Sequence, residues 1–175
     1  IALDPRYAEA YYNRGTAYEK SGHYQRAIAD FDKAIALDPQ HASAHYNRGV
    51  AYDKSGNHQL AMADYDKAIG LDPEFAEAHY NRAGAYDMSG NYQRAIADYD
   101  RAIELKPKYA QAYANRGVAY QKAGNLQQAI KDYDRAIELE PGDVARHVGE
   151  RQQGHQGLRI RPAGGYPSCL LYTSP

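Results

Sequence analysis

A spacing of 34 residues runs through most of the chain and constrains its fold more than any other feature. One Gly, one Tyr and two Ala positions keep this step in the same register as a series of prolines. A period of this length indicates an array of stacked units rather than one globular core. The prolines are Pro5, Pro39, Pro73, Pro107 and Pro141, and the predicted units are 8–41, 42–75, 76–109 and 110–143. Equivalent positions of successive units form a column, such as the proline column that begins at Pro5.

Each unit contains two apolar patterns with the spacing of a helix. In the first unit the second pattern begins after Ser21-Gly22, because Gly accepts the left-handed conformation that closes a helix. Asp38-Pro39 ends the second helix, since a residue before Pro is driven out of the helical region. A polar side chain after the Gly is expected to cap the second helix. These candidate caps are His23, Asn57, Asn91 and Asn125.

The order of large and small residues resembles the tetratricopeptide repeat over roughly residues 1–143. The family pattern of aromatic, small, aromatic, Ala, aromatic, Ala and Pro is met by Tyr11, Gly15, Tyr18, Ala27, Phe31, Ala34 and Pro39, and again in the next three units. The resemblance implies an all-α fold, an α-solenoid of antiparallel helix pairs in a right-handed superhelix. The chain departs from the family at His45 and His79, where the family usually has Trp. It also departs at Ala83-Gly84, because the other units have Gly at the first of these two positions.

The resemblance also implies that one side of the first helices lines a concave groove that binds an extended peptide. An Asn amide offers a donor and an acceptor that match a peptide backbone, and Tyr rings add contact area at a low entropic cost. Bonding within the array is an equally good explanation of the Asn column. The candidate site residues are Glu9, Tyr12, Asn13, Thr16, Lys20, Tyr46, Asn47, Val50, Asp53, Lys54, Tyr80, Asn81, Asp87, Asn115 and Lys122.

The family's better-known groove is a clamp for a C-terminal carboxylate, with Lys or Arg in the Tyr12 column and Asn in the Thr16 column. This chain has neither, so a clamp of that kind is not expected. The mixed charge of the predicted groove favours a neutral or mildly basic peptide over an acidic one.

An Arg column at 14, 48, 82 and 116 lies beside the apolar stripe of the first helices. Two columns of Asp on the second helices, beginning at Asp30 and Asp32, are its candidate partners. A bidentate Arg–carboxylate pair would join the two helices of a unit. We therefore interpret the Arg column as structural rather than as a phosphate site.

Composition and spacing argue against several function classes. Lys and Arg number 21 against 22 Asp and Glu, which predicts neither a nucleic-acid nor a membrane partner. One Cys and no His-Glu-x-x-His motif predict no metal site. No His converges with carboxylates in a catalytic pattern, so we expect no enzyme and no cofactor. The compartment stays open, with the cytoplasm favoured.

Both ends depart from the repeat. Residues 1–5 match residues 35–39, so residues 1–7 are interpreted as the end of an upstream repeat of a longer parent. Residues 144–175 lose the register and are interpreted as a disordered tail, a frameshift or both. Residues 169–174 can be encoded by TGT CTC TTA TAC ACA TCT, which is similar to a transposon end used to prepare sequencing libraries.

These features favour a protein–protein interaction scaffold that binds an extended segment of a partner. The alternative is the substrate-recognition arm of a larger enzyme, of the glycosyltransferase, kinase or phosphatase type. Self-association through uncapped ends of the array is a further expectation, because a repeat without a neighbour exposes apolar surface.

Overall fold

The structure is a computed structural model and describes residues 7–140, a stretch that is helical with no strand. The helices alternate in length between 13 and 14 residues. Their bounds are α1 Ala8–Lys20, α2 Tyr24–Leu37, α3 Ala42–Lys54, α4 His58–Leu71, α5 Ala76–Met88, α6 Tyr92–Leu105, α7 Ala110–Lys122 and α8 Leu126–Leu139. The predicted two helices per unit are confirmed. The predictions for residues 1–6 and 141–175, which include the end of the fourth unit and the tail, lie outside the described residues.

The helices end where the sequence places the breaks. Gly22 has φ +78° and Gly56 has φ +86°, the left-handed conformation that favours Gly. The capping prediction is confirmed for Asn91 and Asn125, which accept from the N–H three residues later at 3.4 Å. It is wrong for His23 and Asn57, because their side chains turn instead to the hydroxyl of the Ser two residues before.

An aromatic ring from each second helix fills the space inside its pair. Phe31, Tyr65 and Tyr99 are at most 1% exposed. The ring of Tyr65 lies against the backbone of Gly49, where an added Cβ would stand 2.8 Å from Cε1. The small residue on the first helix therefore lets the two helices approach closely.

Successive pairs pack on one another, with α2 against α3, α4 against α5 and α6 against α7. The first helices of neighbouring pairs are also in contact, α1 with α3 and α5 with α7. This arrangement puts the first helices on one side of the stack and makes the fold an α-solenoid. Within residues 7–140, each helix falls short of the length and apolar character needed to cross a membrane.

The Arg column joins helices within a pair and also between pairs. Arg48 donates from Nε and Nη2 to the carboxylate of Asp64, at 2.8 and 2.6 Å. Its Nη1 donates to Asp32 of the preceding unit at 2.7 Å. The hydrogen bond to Asp64 and the one to Asp32 outweigh the opposing effect of burial and raise the pKa of Arg48. Arg82 and Arg116 repeat the arrangement. Both predicted Asp columns are therefore partners, one in the same unit and one in the unit before.

Candidate peptide-binding face

The predicted site residues lie on the first helices but differ in exposure. We call this surface the groove face; it consists of the columns that begin at Glu9, Tyr12, Asn13, Thr16, Glu19 and Lys20. Its exposed members from the prediction are Glu9, Asn13, Lys20, Lys54 and Lys122. The half-buried ones are Tyr12, Thr16, Tyr46, Asn47, Val50, Asp53, Tyr80 and Asn81. Asp87 and Asn115 are buried, at 6% and 5% exposure, so neither presents much surface to a ligand.

The Asn column is bonded to the Tyr column of the preceding unit. Asn81 Nδ2 donates to the hydroxyl of Tyr46 at 2.9 Å, 35 positions earlier. Asn47 donates in the same way to Tyr12 at 3.0 Å, and Asn115 to Tyr80 at 2.6 Å. Asn13 instead donates to Glu9 at 3.3 Å within its own helix. The amide N–H groups at the three junctions therefore hold neighbouring units together.

A second aromatic column, which the sequence analysis missed, packs on these Tyr rings. Its members precede the first helices, and the ring of Phe75 lies 4.6 Å from that of Tyr46, centre to centre. His41 lies 4.7 Å from Tyr12, and Tyr109 lies 4.8 Å from Tyr80. The 34-residue spacing of Tyr7, His41, Phe75 and Tyr109 was the available signal.

The Tyr46 ring is held on two sides, by Phe75 and by a tilted contact with Tyr65 at 6.0 Å. Burial raises the pKa of the Tyr46 hydroxyl to about 12, and the hydrogen bond from Asn81 only partly offsets this. The phenol is therefore neutral near pH 7 and keeps its O–H as a hydrogen-bond donor. The fixed ring and neutral hydroxyl form a rigid amphipathic contact surface.

Charged pairs cross two of the three unit junctions on the groove face. Lys54 pairs with Glu19 of the unit before, and Lys122 Nζ lies 2.7 Å from Asp87 Oδ2 of the unit before. The corresponding position at the middle junction is Met88, which is 60% exposed. Asp53 is the equivalent of Glu19 and Asp87 at this junction. Its Oδ1 lies 2.7 Å from Nδ1 of His58 in the same unit.

A shallow depression lies beside the groove face at the loop between α6 and α7. Its lining residues are Glu77, Lys106, Pro107, Lys108 and Tyr109, and its volume is about 620 Å³. Lys106 pairs with Glu77 across it. The depression is open to solvent and extends the aromatic surface around Tyr109.

The buried His residues form part of the packing. His79 Nδ1 lies 3.2 Å from Asp98 Oδ1, and its Nε2 lies 3.2 Å from the carbonyl oxygen of Pro73. Burial by itself would raise the pKa of Asp98, but hydrogen bonds from Arg82 and His79 outweigh it and lower that pKa. Among residues 7–140, no group of three or more His, Cys, Asp or Glu could hold a metal ion.

Four family models match consecutive and partly overlapping parts of the chain. Models described as tetratricopeptide repeat match residues 12–74, 64–97 and 110–143, and one described as TPR repeat matches 88–124. The chain belongs to the tetratricopeptide repeat family. The predicted family is thereby confirmed. Comparison with curated proteins gave no match.

Solved tetratricopeptide repeat structures superpose on most of the chain. The crystal structure of MamA has a TM-score of 0.75 at 30% identity, over 82% of this chain and 84% of that one. YrrB, described as a TPR protein with an unusual peptide-binding site, has a TM-score of 0.72 at 27% identity, over 85% and 77%. The first TPR of Spaghetti (RPAP3), bound to the HSP90 peptide SRMEEVD, has a TM-score of 0.66 at 26% identity, over 69% and 96%.

Proposed function

We propose that the chain is an interaction scaffold whose groove face binds an extended peptide segment of a partner protein. The observation that carries this proposal is the row of half-buried Tyr rings on the groove face. Each ring is fixed by an aromatic residue and by an Asn of the next unit. Rigid rings of this kind bind at a low entropic cost because few rotors are frozen.

The two interpretations of the Asn column are compatible on this face. One amide hydrogen of Asn81 is used by Tyr46, and an Asn side chain has a second N–H and a carbonyl oxygen to offer. The Asn–Tyr pairs would set the position of the rings, while the remaining amide groups would contact the peptide backbone. Peptide binding by the similar YrrB and RPAP3 structures supports this use of the surface.

The test uses random peptides displayed on phage and the full chain as bait. Val50 is half-buried on the groove face, so Val50→Lys should weaken binding of selected peptides while leaving the fold intact. The matched control is Ala29→Lys, at an exposed position of a second helix, which should bind normally. Far-ultraviolet circular dichroism checks folding of both. Selection of no peptide, or equal binding by both variants, would refute the proposal.

The alternative function is that of a substrate-recognition arm of a larger enzyme. No contact among residues 7–140 favours it over the scaffold. Residues 7–140 support an interaction surface. We therefore keep peptide binding as the proposed function and do not propose a reaction.

Self-association is a second proposal, supported by the face of α8 that no other described helix covers. Ile130 and Ile137 are 59% and 50% exposed. Ile103, the equivalent of Ile137 one unit earlier, is only 9% exposed and packs in one cluster with Ala112 of α7. At the other end of the stack, Arg14 is 46% exposed and has no preceding unit within the described residues. Asp134 is exposed, and its equivalents Asp32, Asp66 and Asp100 each accept from the Arg of the next unit. A second copy could therefore continue the stack.

Sedimentation at increasing concentration tests this second proposal. The chain should associate, and Ile137→Lys should reduce association because it places a charge in the apolar contact. The exposed Ile137 makes this change compatible with folding. A chain that stays monomeric at all concentrations would show that a second copy does not cover this face.

A further inference from the structure

The middle junction of the groove face, between units 42–75 and 76–109, differs from the junctions on either side at two positions. At the first junction, Lys54 pairs with Glu19, and at the third, Lys122 pairs with Asp87. In both pairs the cation comes from the residue 35 positions after the carboxylate. Met88 lies 35 positions after Asp53. Asp53 therefore has no Lys from the next unit, whereas Glu19 and Asp87 each have one.

The aromatic residue at the start of the second helix also differs at the middle junction, where it is His58 in place of Tyr. Lys122 Nζ lies 5.8 Å from the ring centre of Tyr92, at the start of the second helix. The equivalent of Tyr92 is His58, whose Nδ1 lies 2.7 Å from Asp53 Oδ1. His58 thus contacts Asp53 within its own unit and supplies no ammonium group from the next unit. The middle junction therefore retains a carboxylate whose charge no Lys balances across the junction.

Both groups are accessible from the groove face. The side chain of Asp53 is 38% exposed and Met88 is 60% exposed. An exposed Met adapts its shape to an aliphatic chain, and an exposed carboxylate accepts hydrogen bonds from a cation. Gly84, one turn before Met88 on α5, has no side chain where Val50 and Val118 have one. These features match a long basic side chain with an apolar stem.

We propose that Asp53, His58 and Met88 form a subsite for a Lys or Arg side chain of the bound peptide. The partner's cation takes the place that Lys54 and Lys122 occupy at the other junctions, and Met88 packs on its aliphatic stem. This inference rests on the proposed peptide binding and assigns one position of the peptide. The peptide thereby completes a charge pairing that the chain leaves open at one junction.

The test compares two variants that add the same charge. Met88→Lys copies the Lys54 and Lys122 of other units and should close the subsite. Leu60→Lys, the matched control, adds a cation at an exposed position of α4 where other units have Arg26 and Arg94. Random peptides on phage are selected with the unmodified chain and with each variant, and selected peptides are measured by fluorescence anisotropy.

Peptides selected by the unmodified chain should share one basic position. Met88→Lys should weaken their binding about fivefold, the change that corresponds to an exposed ion pair of ~1 kcal/mol. Leu60→Lys should leave it unchanged, and replacing the basic residue of the peptide by Gln should remove the difference between the variants. Asp53→Asn gives an independent test that adds no bulk and should also weaken binding.

Three results would overturn the subsite. Selected peptides with no shared basic position would refute it while leaving peptide binding intact. Equal weakening by Met88→Lys and Leu60→Lys would show a general effect of charge. Failure to select any peptide would refute both this inference and the proposed function.

Discussion

Arg82 on α5 holds Asp98 on α6 through two hydrogen bonds of 2.7 Å, from Nε and from Nη2. A third bond from Nη1 reaches Asp66 of the preceding unit at 2.8 Å. One side chain thus fixes the angle within a helix pair and the contact between two pairs. Because the same arrangement recurs at Arg48 and Arg116, the stack is held by a periodic set of charged contacts as well as by apolar packing.

Arg82→Ala should lower the free energy of unfolding by about 3 kcal/mol, because it leaves the buried Asp98 carboxylate without its main partner. Urea unfolding followed by circular dichroism measures this change. The control is Arg101→Ala, which removes an exposed pair with Glu104 and should cost at most about 0.5 kcal/mol. Equal losses for the two variants would contradict the structural role of Arg82.

Acid should weaken the fold partly through Asp98. Its pKa is lowered in the folded chain, so its stabilising contribution is present above its ordinary value of about 4 and is lost as the pH falls through the lower folded value. Urea unfolding at a series of acid pH values should show the unmodified chain losing stability more steeply than Asp98→Asn. Parallel losses in the two proteins would contradict this assignment.

Two Gly→Ala substitutions should have opposite signs. At Gly49 the new Cβ would stand 2.8 Å from the Tyr65 ring and 3.2 Å from the carbonyl oxygen of Ala61, so Gly49→Ala should destabilise by about 1–2 kcal/mol. The cost stays moderate because unit three carries Ala83 at this position. Gly70 faces open space in a helix, and Gly70→Ala should stabilise by about 0.5–1 kcal/mol. Thermal unfolding of both variants decides the comparison.

The bond between Asn81 and Tyr46 should be measurable as a coupling energy. Tyr46→Phe and Asn81→Ala each remove one side of it, and the double-mutant cycle should give a coupling of about 1 kcal/mol. Chemical unfolding of the four proteins provides the values. The control cycle pairs Tyr46→Phe with Asn13→Ala, whose amide bonds to Glu9 in another unit and should show no coupling.

The period, the helices, their ends and the apolar stripe could all be predicted from the chain before it is folded. These features depend on local conformation and on the spacing of apolar residues along one helix, which are read directly from the chain. The Gly at each turn and the Pro after each second helix act within a few residues. The partnership of the Arg column with Asp30 and its equivalents was also predictable, because the charges lie on facing helices of one unit.

The contacts between units, in contrast, are visible only in the folded stack. Whether the Asn column bonds within the array, and which ring lies on Tyr46, depends on how one helix pair is rotated against the next. The burial of Asp87 and Asn115 likewise follows from stacking. A periodic sequence fixes which residues are equivalent, whereas the geometry of the junction fixes which of them meet.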